Sequence, residues 1–376
     1  MRIYALAFFT LTISSTSVLM SEENNPIFSN RSQYPISGES DLTAGLALAD
    51  LDGDGDIDLV EGNGRHWAQS NYIYFNANSR GLTSRIKLGE MEKTTYRTLV
   101  EDIDNDGDLD IIVASDKMEN QIYFNDSKGG FPRVVFFGEI ASNTRSITVA
   151  DVNGDGFLDI LEICRRTPNN IFINDGIGNF SFFKTFGDLE DSTLSVAVED
   201  MNGDGNDDFI LANRDGQQNK ILLNDGDLNF QNFIPFGSGG DDTRGVEVAD
   251  MNGDGLLDIV TANIRSQNSV ILNNGDGNFG DESFFGAETS QTYALILKDF
   301  DKDGDVDVVV GNVAGANKVY LNDGLGNIIK NAEFGLKDGN TYALASGDIN
   351  GDGLDDIITG NSGPGNSVFY QLKPKK

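Results

Sequence analysis

The sequence predicts an all-β chain folded as a seven-bladed β-propeller. The blades are four-stranded and antiparallel, and an N-terminal strand in the last blade closes the ring. Three observations carry this. A nine-residue pattern, Asp-x-Asp/Asn-x-Asp-Gly-x-x-Asp, starts at Asp50, Asp102, Asp151, Asp200, Asp250, Asp299 and Asp348, at intervals of 49 to 52 residues. Between the copies, short runs of β-branched and aromatic residues are bounded by Gly, Asn and Asp, and no segment carries ten residues of helical period. The seventh unit ends after its third strand, while a spare strand precedes the first unit.

Residues 1–20 come first, with Arg2 as a positive start, an apolar run from Ile3 to Ile13, and the small residues Ser15, Thr16 and Ser17. This is the pattern of a secretory signal peptide, cleaved after Ser17 or after Met20. No second apolar span follows, so the mature chain is expected to be soluble, monomeric and either secreted, periplasmic or held at the cell surface. The propeller is expected over residues 27–372 as one domain, with a basic tail at 373–376.

Tyr34-Pro35-Ile36 lies sixteen residues before Asp50, as Ile234-Pro235-Phe236 lies sixteen before Asp250. It therefore reads as the missing fourth strand, and its pairing removes an aggregation-prone edge. In the unit around Asp250 the other strands are Gly245-Val246-Glu247-Val248-Ala249, which alternates with period two, then the runs 257–262 and 269–273. A Thr stands seven residues before each Asp pattern: Thr43, Thr95, Thr144, Thr193, Thr243, Thr292 and Thr341. An Asn follows each by 18 to 21 residues: Asn71, Asn120, Asn170, Asn219, Asn268, Asn317 and Asn366. These read as strand and turn hydrogen-bonding groups, not nucleophiles. Turns of the type Asn-Asp-Gly-x-Gly-Asn-Phe complete the unit, clearest at 174–180, 273–279 and 322–328.

The chain has 60 acidic and 27 basic residues and a formal charge of −33. That charge repels phosphate and excludes nucleic acid as a partner. One Cys excludes a disulfide scaffold. Cys164 occupies a place where other units have Asn, and reads as a buried inert thiol.

The acid is concentrated in the repeated loops, which present oxygen donors at positions 1, 3, 5 and 9. The four are Asp50, Asp52, Asp54 and Asp58 in the first loop, and Asp102, Asp104, Asp106 and Asp110 in the second. The third has Asp151, Asn153, Asp155 and Asp159, and the fourth Asp200, Asn202, Asp204 and Asp208. The fifth has Asp250, Asn252, Asp254 and Asp258, and the sixth Asp299, Asp301, Asp303 and Asp307. The seventh has Asp348, Asn350, Asp352 and Asp356. A Gly at position 6 lets the loop curl so that these groups converge. Donors that are all oxygen select a hard cation, Ca²⁺ ahead of Mg²⁺, up to one per blade. The backbone carbonyl at position 7 is a further expected ligand. Two loops also match the longer EF-hand pattern through Glu61 and Glu162, but their flanks are strands and the other five lack the Glu, so Asp at position 9 closes the site.

Strand-flanked Asp loops of this kind, seven times at about fifty residues, followed by Phe-Gly at 137–138, 186–187, 236–237, 285–286 and 334–335, resemble the FG-GAP/VCBS repeat family. The calcium-binding blades of the integrin α-subunit propeller are similar. The resemblance implies the propeller and its calcium, and leaves the ligand open. Unlike integrin, this chain carries the motif in nearly every blade and is expected to lack a membrane anchor.

Loops alternate between the two faces of an up-and-down blade. The Asp loops and the Asn-Asp-Gly turns share one face; the loops that differ between units share the other, where a ligand is expected. That face holds Arg65, His66 and Trp67 in the longest insertion, with Lys117, Arg165, Arg166, Arg214 and Arg265. These suit an acidic or hydroxylated ligand, such as an extracellular polysaccharide, with Trp67 as a stacking platform. The first reading is a calcium-stabilised binding or adhesion scaffold for a polysaccharide or protein ligand. The alternative is a carbohydrate-active enzyme of the polysaccharide lyase kind, using Arg, His66 or Tyr on the same face. No Ser-His-Asp set, Gly-x-Ser-x-Gly elbow or phosphate loop is present, and no catalytic residue is assigned.

Overall fold

The computed structural model describes residues 27–28, 33–36, 41–77 and 81–373. The expected signal peptide and all but Lys373 of the basic tail lie outside these residues. Among the described residues every regular element is a strand, and no helix is long and apolar enough to cross a membrane.

The strands form seven four-stranded antiparallel sheets. Blade 1 is Thr43–Ala49, Asp58–Asn63, Gln69–Asn76 and Leu82–Lys93, and blades 2 to 6 begin at Thr95, Thr144, Thr193, Asp242 and Thr292. Blade 7 has Thr341–Gly347, Asp356–Asn361 and Ser367–Phe369, and takes its fourth strand from the front of the chain. Gln33–Pro35 pairs antiparallel with Ser367–Phe369, Tyr34 opposite Val368.

Each blade is covered on both faces by its neighbours. The second strands therefore need apolar residues on both faces, and Asp110–Ser115 and Asp307–Asn312 are buried at every residue. The fourth strands lie at the rim, and Arg133–Phe137 is mostly exposed. The core is accordingly a ring of seven inter-blade clusters rather than one centre. Ile112, Ile122 and Phe137 of blade 2 meet Ile147, Ile160 and Phe172 of blade 3. Ile358 and Val368 of blade 7 meet Leu46, Leu59 and Tyr74 of blade 1, so the interface that closes the ring has the same chemistry as the others.

Two hydrogen-bond belts lock the blades in register. On the face away from the Asp loops, the repeat Asn bonds the Thr of the next blade. Asn219 Nδ2 donates to Thr243 Oγ1 at 2.9 Å, and Asn268 Nδ2 to Thr292 Oγ1 at 3.1 Å. Asn366 closes the circle, donating to Thr43 Oγ1 at 2.9 Å and Glu61 Oε1 at 2.6 Å. In blade 3 the residue in this place is Asn169, which donates to Thr193 Oγ1 at 3.1 Å; Asn170, its sequence neighbour, turns to Glu162 instead. The expected Asn170 is thus corrected by one residue. The same belt disposes of the EF-hand match: Glu61 and Glu162 are buried at the far end of their strands, bonded by Thr43 and Thr144.

On the Asp-loop face, an amide after the third strand reaches the preceding blade in six blades, an Asn in five of them and Gln371 in blade 7. Asn125 Nδ2 donates to the Leu51 carbonyl at 2.9 Å, Asn174 to Ile103 at 2.8 Å, and Asn322 to Met251 at 2.7 Å. Asn76 donates to Ile349 of blade 7 at 2.9 Å, so this belt also crosses the closure.

Asn366→Ala is expected to cost about 2–4 kcal/mol, because it takes one of the donors from the buried Glu61 carboxylate and leaves unpaired the Asn361 N–H that its side chain now accepts. Denaturant unfolding of the variant checks this; a loss under about 0.5 kcal/mol would show that the belt does not hold the closure.

Candidate functional site

Each Asp loop is organised by its own carboxylates. The position-1 Asp accepts from the N–H of the position-6 Gly in every blade, from Gly55 to Asp50 Oδ2 at 2.9 Å through Gly353 to Asp348 Oδ2 at 2.8 Å. That glycine has φ between +86° and +102°, the left-handed region an L side chain resists. Position 4 is also left-handed, and is Gly in five loops but Asn105 and Lys302 in the other two. The position-5 Asp accepts from the N–H of position 7, as Asp254 Oδ1 does from Leu256 at 2.9 Å.

The position-9 Asp is different. It is buried in all seven loops, and its two oxygens accept two backbone N–H groups. Asp258 takes Met251 N at 2.9 Å on one oxygen and Asn273 N at 2.7 Å on the other. The same pair recurs at Asp58, Asp110, Asp159, Asp208, Asp307 and Asp356. Each oxygen keeps a second lone pair for the loop interior.

In three loops one carboxylate oxygen from each of three residues lies within 4.8 Å of the others: Asp50, Asp52 and Asp58; Asp102, Asp104 and Asp110; Asp299, Asp301 and Asp303. These are the loops with Asp at position 3. In the other four, Asn153, Asn202, Asn252 and Asn350 bring a carboxamide oxygen to that place. Asp104 Oδ1 and Asp301 Oδ1 are buried with no hydrogen-bond partner, as acceptors left for a cation. An all-oxygen set with orphaned acceptors fits a hard divalent ion.

Burial pushes Asp110 and Asp307 up to about 7, and Asp58, Asp159, Asp208 and Asp356 to about 6. These side chains are at most 1% exposed. The other carboxylates of the same loop add to the shift and the two backbone donors oppose it.

The opposite face opens on the central axis. A cavity there is lined by the first strands of all seven blades. Every first strand carries a β-bulge directly after the repeat Thr, as between Thr95 and Arg97 or Thr243 and Gly245. A bulge re-aims one side chain. Here the skipped residues line the mouth: Tyr96, Tyr293 and Tyr342 in blades 2, 6 and 7, Arg145 and Arg244 in blades 3 and 5, with Ala44 and Leu194 in blades 1 and 4. Above the small Ala44 blade, Arg65 of the insertion lays its guanidinium over Tyr342 at 3.6 Å and Tyr293 at 5.6 Å. Arg145 lies over Tyr96 at 4.4 Å, and the Tyr96 hydroxyl is 3.1 Å from His66 Nδ1. Burial and the cations Arg65 and Arg145 lower the His66 pKa, and burial raises that of Tyr96.

Of the eight residues expected at a ligand face, then, Arg65 and His66 join this mouth. Arg165, Arg166 and Arg214 gather elsewhere on Asp215, at 2.7, 3.0 and 3.9 Å. These ties hold the Asp215 carboxyl at about 2 against the opposing effect of burial. Trp67, Lys117 and Arg265 are exposed on their loops. Tyr96, Arg145, Arg244, Tyr293 and Tyr342 were not foreseen, yet the sequence marks them as the residue after each repeat Thr. Cys164 is buried, and burial pushes its thiol up, as expected of an inert group.

The profile of the FG-GAP-like repeat family matches residues 102–162, 200–261, 250–310 and 299–359. Two solved structures with the same fold are crystal structures of BBS1N in complex with ARL6DN. The mercury-soaked one is 14% identical with a TM-score of 0.62, covering 92% of this chain and 97% of that chain. The lead-soaked one is 13% identical with a TM-score of 0.63, covering 93% and 98%. No curated protein matches the chain.

Two outcomes test the loops. A carboxyl whose folded pKa lies above its unfolded value stabilises the fold at acid pH, and loses that contribution as pH rises through the folded pKa. Without divalent cation the melting temperature is therefore expected to fall between about pH 4 and about pH 7, the window set by Asp110 and Asp307. In EDTA, Asp258→Ala is expected to cost about 2–4 kcal/mol by leaving two N–H groups unpaired, and Asp254→Ala less than about 1 kcal/mol. Equal losses would refute the distinct role of position 9.

Proposed function

We propose that this chain, which belongs to the FG-GAP-like repeat family, is an extracellular calcium-loaded binding scaffold. Its loops hold Ca²⁺ on one face and its ligand docks on the other. The observation that carries the metal is the convergence of carboxylate oxygens in the loops, with Asp104 Oδ1 and Asp301 Oδ1 buried and unpartnered. FG-GAP repeats often bind calcium. Positions 1, 3, 5 and 9 hold the ion, from Asp50, Asp52, Asp54 and Asp58 in the first loop to Asp348, Asn350, Asp352 and Asp356 in the seventh. Bound calcium supplies the positive charge that lets three or four carboxylates share one loop. Seven ions add 14 charges to the formal −33 and leave −19.

The leader at residues 1–20 supports export, where millimolar calcium is available. The ligand is an extracellular polysaccharide or protein, and the varied face supports this because its cations stand apart from the acidic loops. The propeller of BBS1N is in complex with a protein, which supports docking to a folded surface as a use of this fold. The enzymatic alternative, a polysaccharide lyase, draws on the contact between His66 and Tyr96 at the mouth. Release of unsaturated uronic products, abolished by His66→Ala, would favour it over binding alone.

Extracellular sites bind calcium at roughly 10⁻⁴–10⁻³ M. At about ten times Kd each independent site stabilises the fold by about 1.4 kcal/mol, so seven contribute on the order of 10 kcal/mol. Thermal melts in Ca²⁺ and in excess EDTA test the reading. A large fall in melting temperature on chelation is expected, and an unchanged melt would refute it.

A further inference from the structure

The channel mouth has the chemistry of a site for one planar anion. Four guanidiniums stand there: Arg97, Arg145 and Arg244 line the cavity and Arg65 lies over Tyr342, while the one lining carboxylate, Glu247, has Arg97 as its charge neighbour. Acids outnumber bases 60 to 27 in this chain, so an unpaired guanidinium is conspicuous. Elsewhere Arg85 pairs with Asp41, Arg133 with Asp104 and Lys298 with Asp355. At the mouth Arg145 pairs with Asp116 at 2.7 Å, but among the described residues neither Arg65 nor Arg244 forms an ion pair. Arg244 donates only a long hydrogen bond, to the Leu194 carbonyl at 3.5 Å. Arg65 lays its face on Tyr342, and a guanidinium's planar fork of five donors offers more N–H groups than one phenol can take. Burial, with Arg65 and Arg145 close by, lowers the Arg244 pKa to about 10, so it stays charged at neutral pH in a field that favours an anion.

The bulge ring is what makes this arrangement. A regular strand would pair the residue after each Thr; the bulge turns it to the axis, and the ring sets cations against phenols. Tyr96, Tyr293 and Tyr342 add hydroxyls able to bond sugar hydroxyls, and Trp67, 74% exposed, stands two residues from Arg65 with a free aromatic face. We propose that the mouth binds a sugar acid, a uronate residue of an extracellular polysaccharide, with Arg65 and Arg244 as the partners of its carboxylate. This rests on the reading that the ligand docks on the face opposite the metal loops.

The full chain in millimolar Ca²⁺ is titrated with trigalacturonate, with neutral galactotriose and with a glutamate tripeptide, followed by calorimetry and by the emission of Trp67, the only tryptophan. The uronate is expected to bind one per chain and to shift Trp67 emission, with galactotriose at least about tenfold weaker. Arg244→Gln and Arg65→Gln are each expected to weaken uronate binding about 10- to 100-fold, the loss of one charge-assisted contact. Lys330→Gln on the outer rim is expected to change nothing. Arg244→Gln should melt no lower than the parent, because it removes a half-buried charge that has no ion-pair partner among the described residues. If it unfolds, Arg65→Gln on its surface loop decides alone. No uronate binding by the parent, unchanged affinity in a folded Arg variant, or binding of the glutamate peptide in place of the sugar overturns the proposal. If Ca²⁺ still raises the melting temperature while uronate fails to bind, only this inference falls; if Ca²⁺ leaves the melt unchanged, the scaffold reading falls whatever the sugar does.

Discussion

The buried position-9 aspartate is the joint on which the rest of the structure depends. Its oxygens hold the start of the loop and the end of the third strand, as Asp258 holds Met251 N and Asn273 N. The side chain of that Asn then reaches the preceding blade, Asn273 Nδ2 donating to the Met201 carbonyl at 3.1 Å. One carboxylate thus ties loop to blade and, through one amide, blade to blade. A buried charge with two directed donors is tolerable where the same charge alone would not be.

Because this joint repeats around the ring, each blade contributes the same share and none is a centre. The apolar clusters lie between blades, so a blade cannot bury its two faces without both neighbours. Closure is therefore a condition of stability, and the strand Gln33–Pro35 meets it by completing the last blade. The Thr–Asn belt carries the same requirement to the other face, where Asn366 of the last blade finds Thr43 and Glu61 of the first.

The two faces divide the chemistry. Carboxylates crowd the loops at one end, and the proposed calcium lets them do so. At the other end the few cations gather in two ways. Asp215 ties Arg165, Arg166 and, at longer range, Arg214 into an ion-pair network. The mouth instead sets Arg65 and Arg244 against tyrosines, and among the described residues neither forms an ion pair. Residues alike in sequence, Arg on the varied face, thus differ in what they are free to bind.

The sequence by itself determined what repeats. Seven Asp loops, their Gly at position 6, the Thr before them and the spare front strand are local patterns, set by φ, by alternation and by spacing, and they were legible with the blade count. One detail slipped by one residue. Asn169 rather than its neighbour Asn170 enters the belt, because strand register and not proximity decides which amide faces the next blade. The position-9 Asp has a second role that spacing does not show, a backbone clamp under the loop, since its donors lie 7 residues before it and 15 after it. Only the tertiary structure decided which side chains share the axis. Tyr96, Arg145, Arg244, Tyr293 and Tyr342 lie about fifty residues apart or more, and a bulge at the same place in each blade turns them together. Such a site exists only once the ring has closed, because its members come from blades all around the axis.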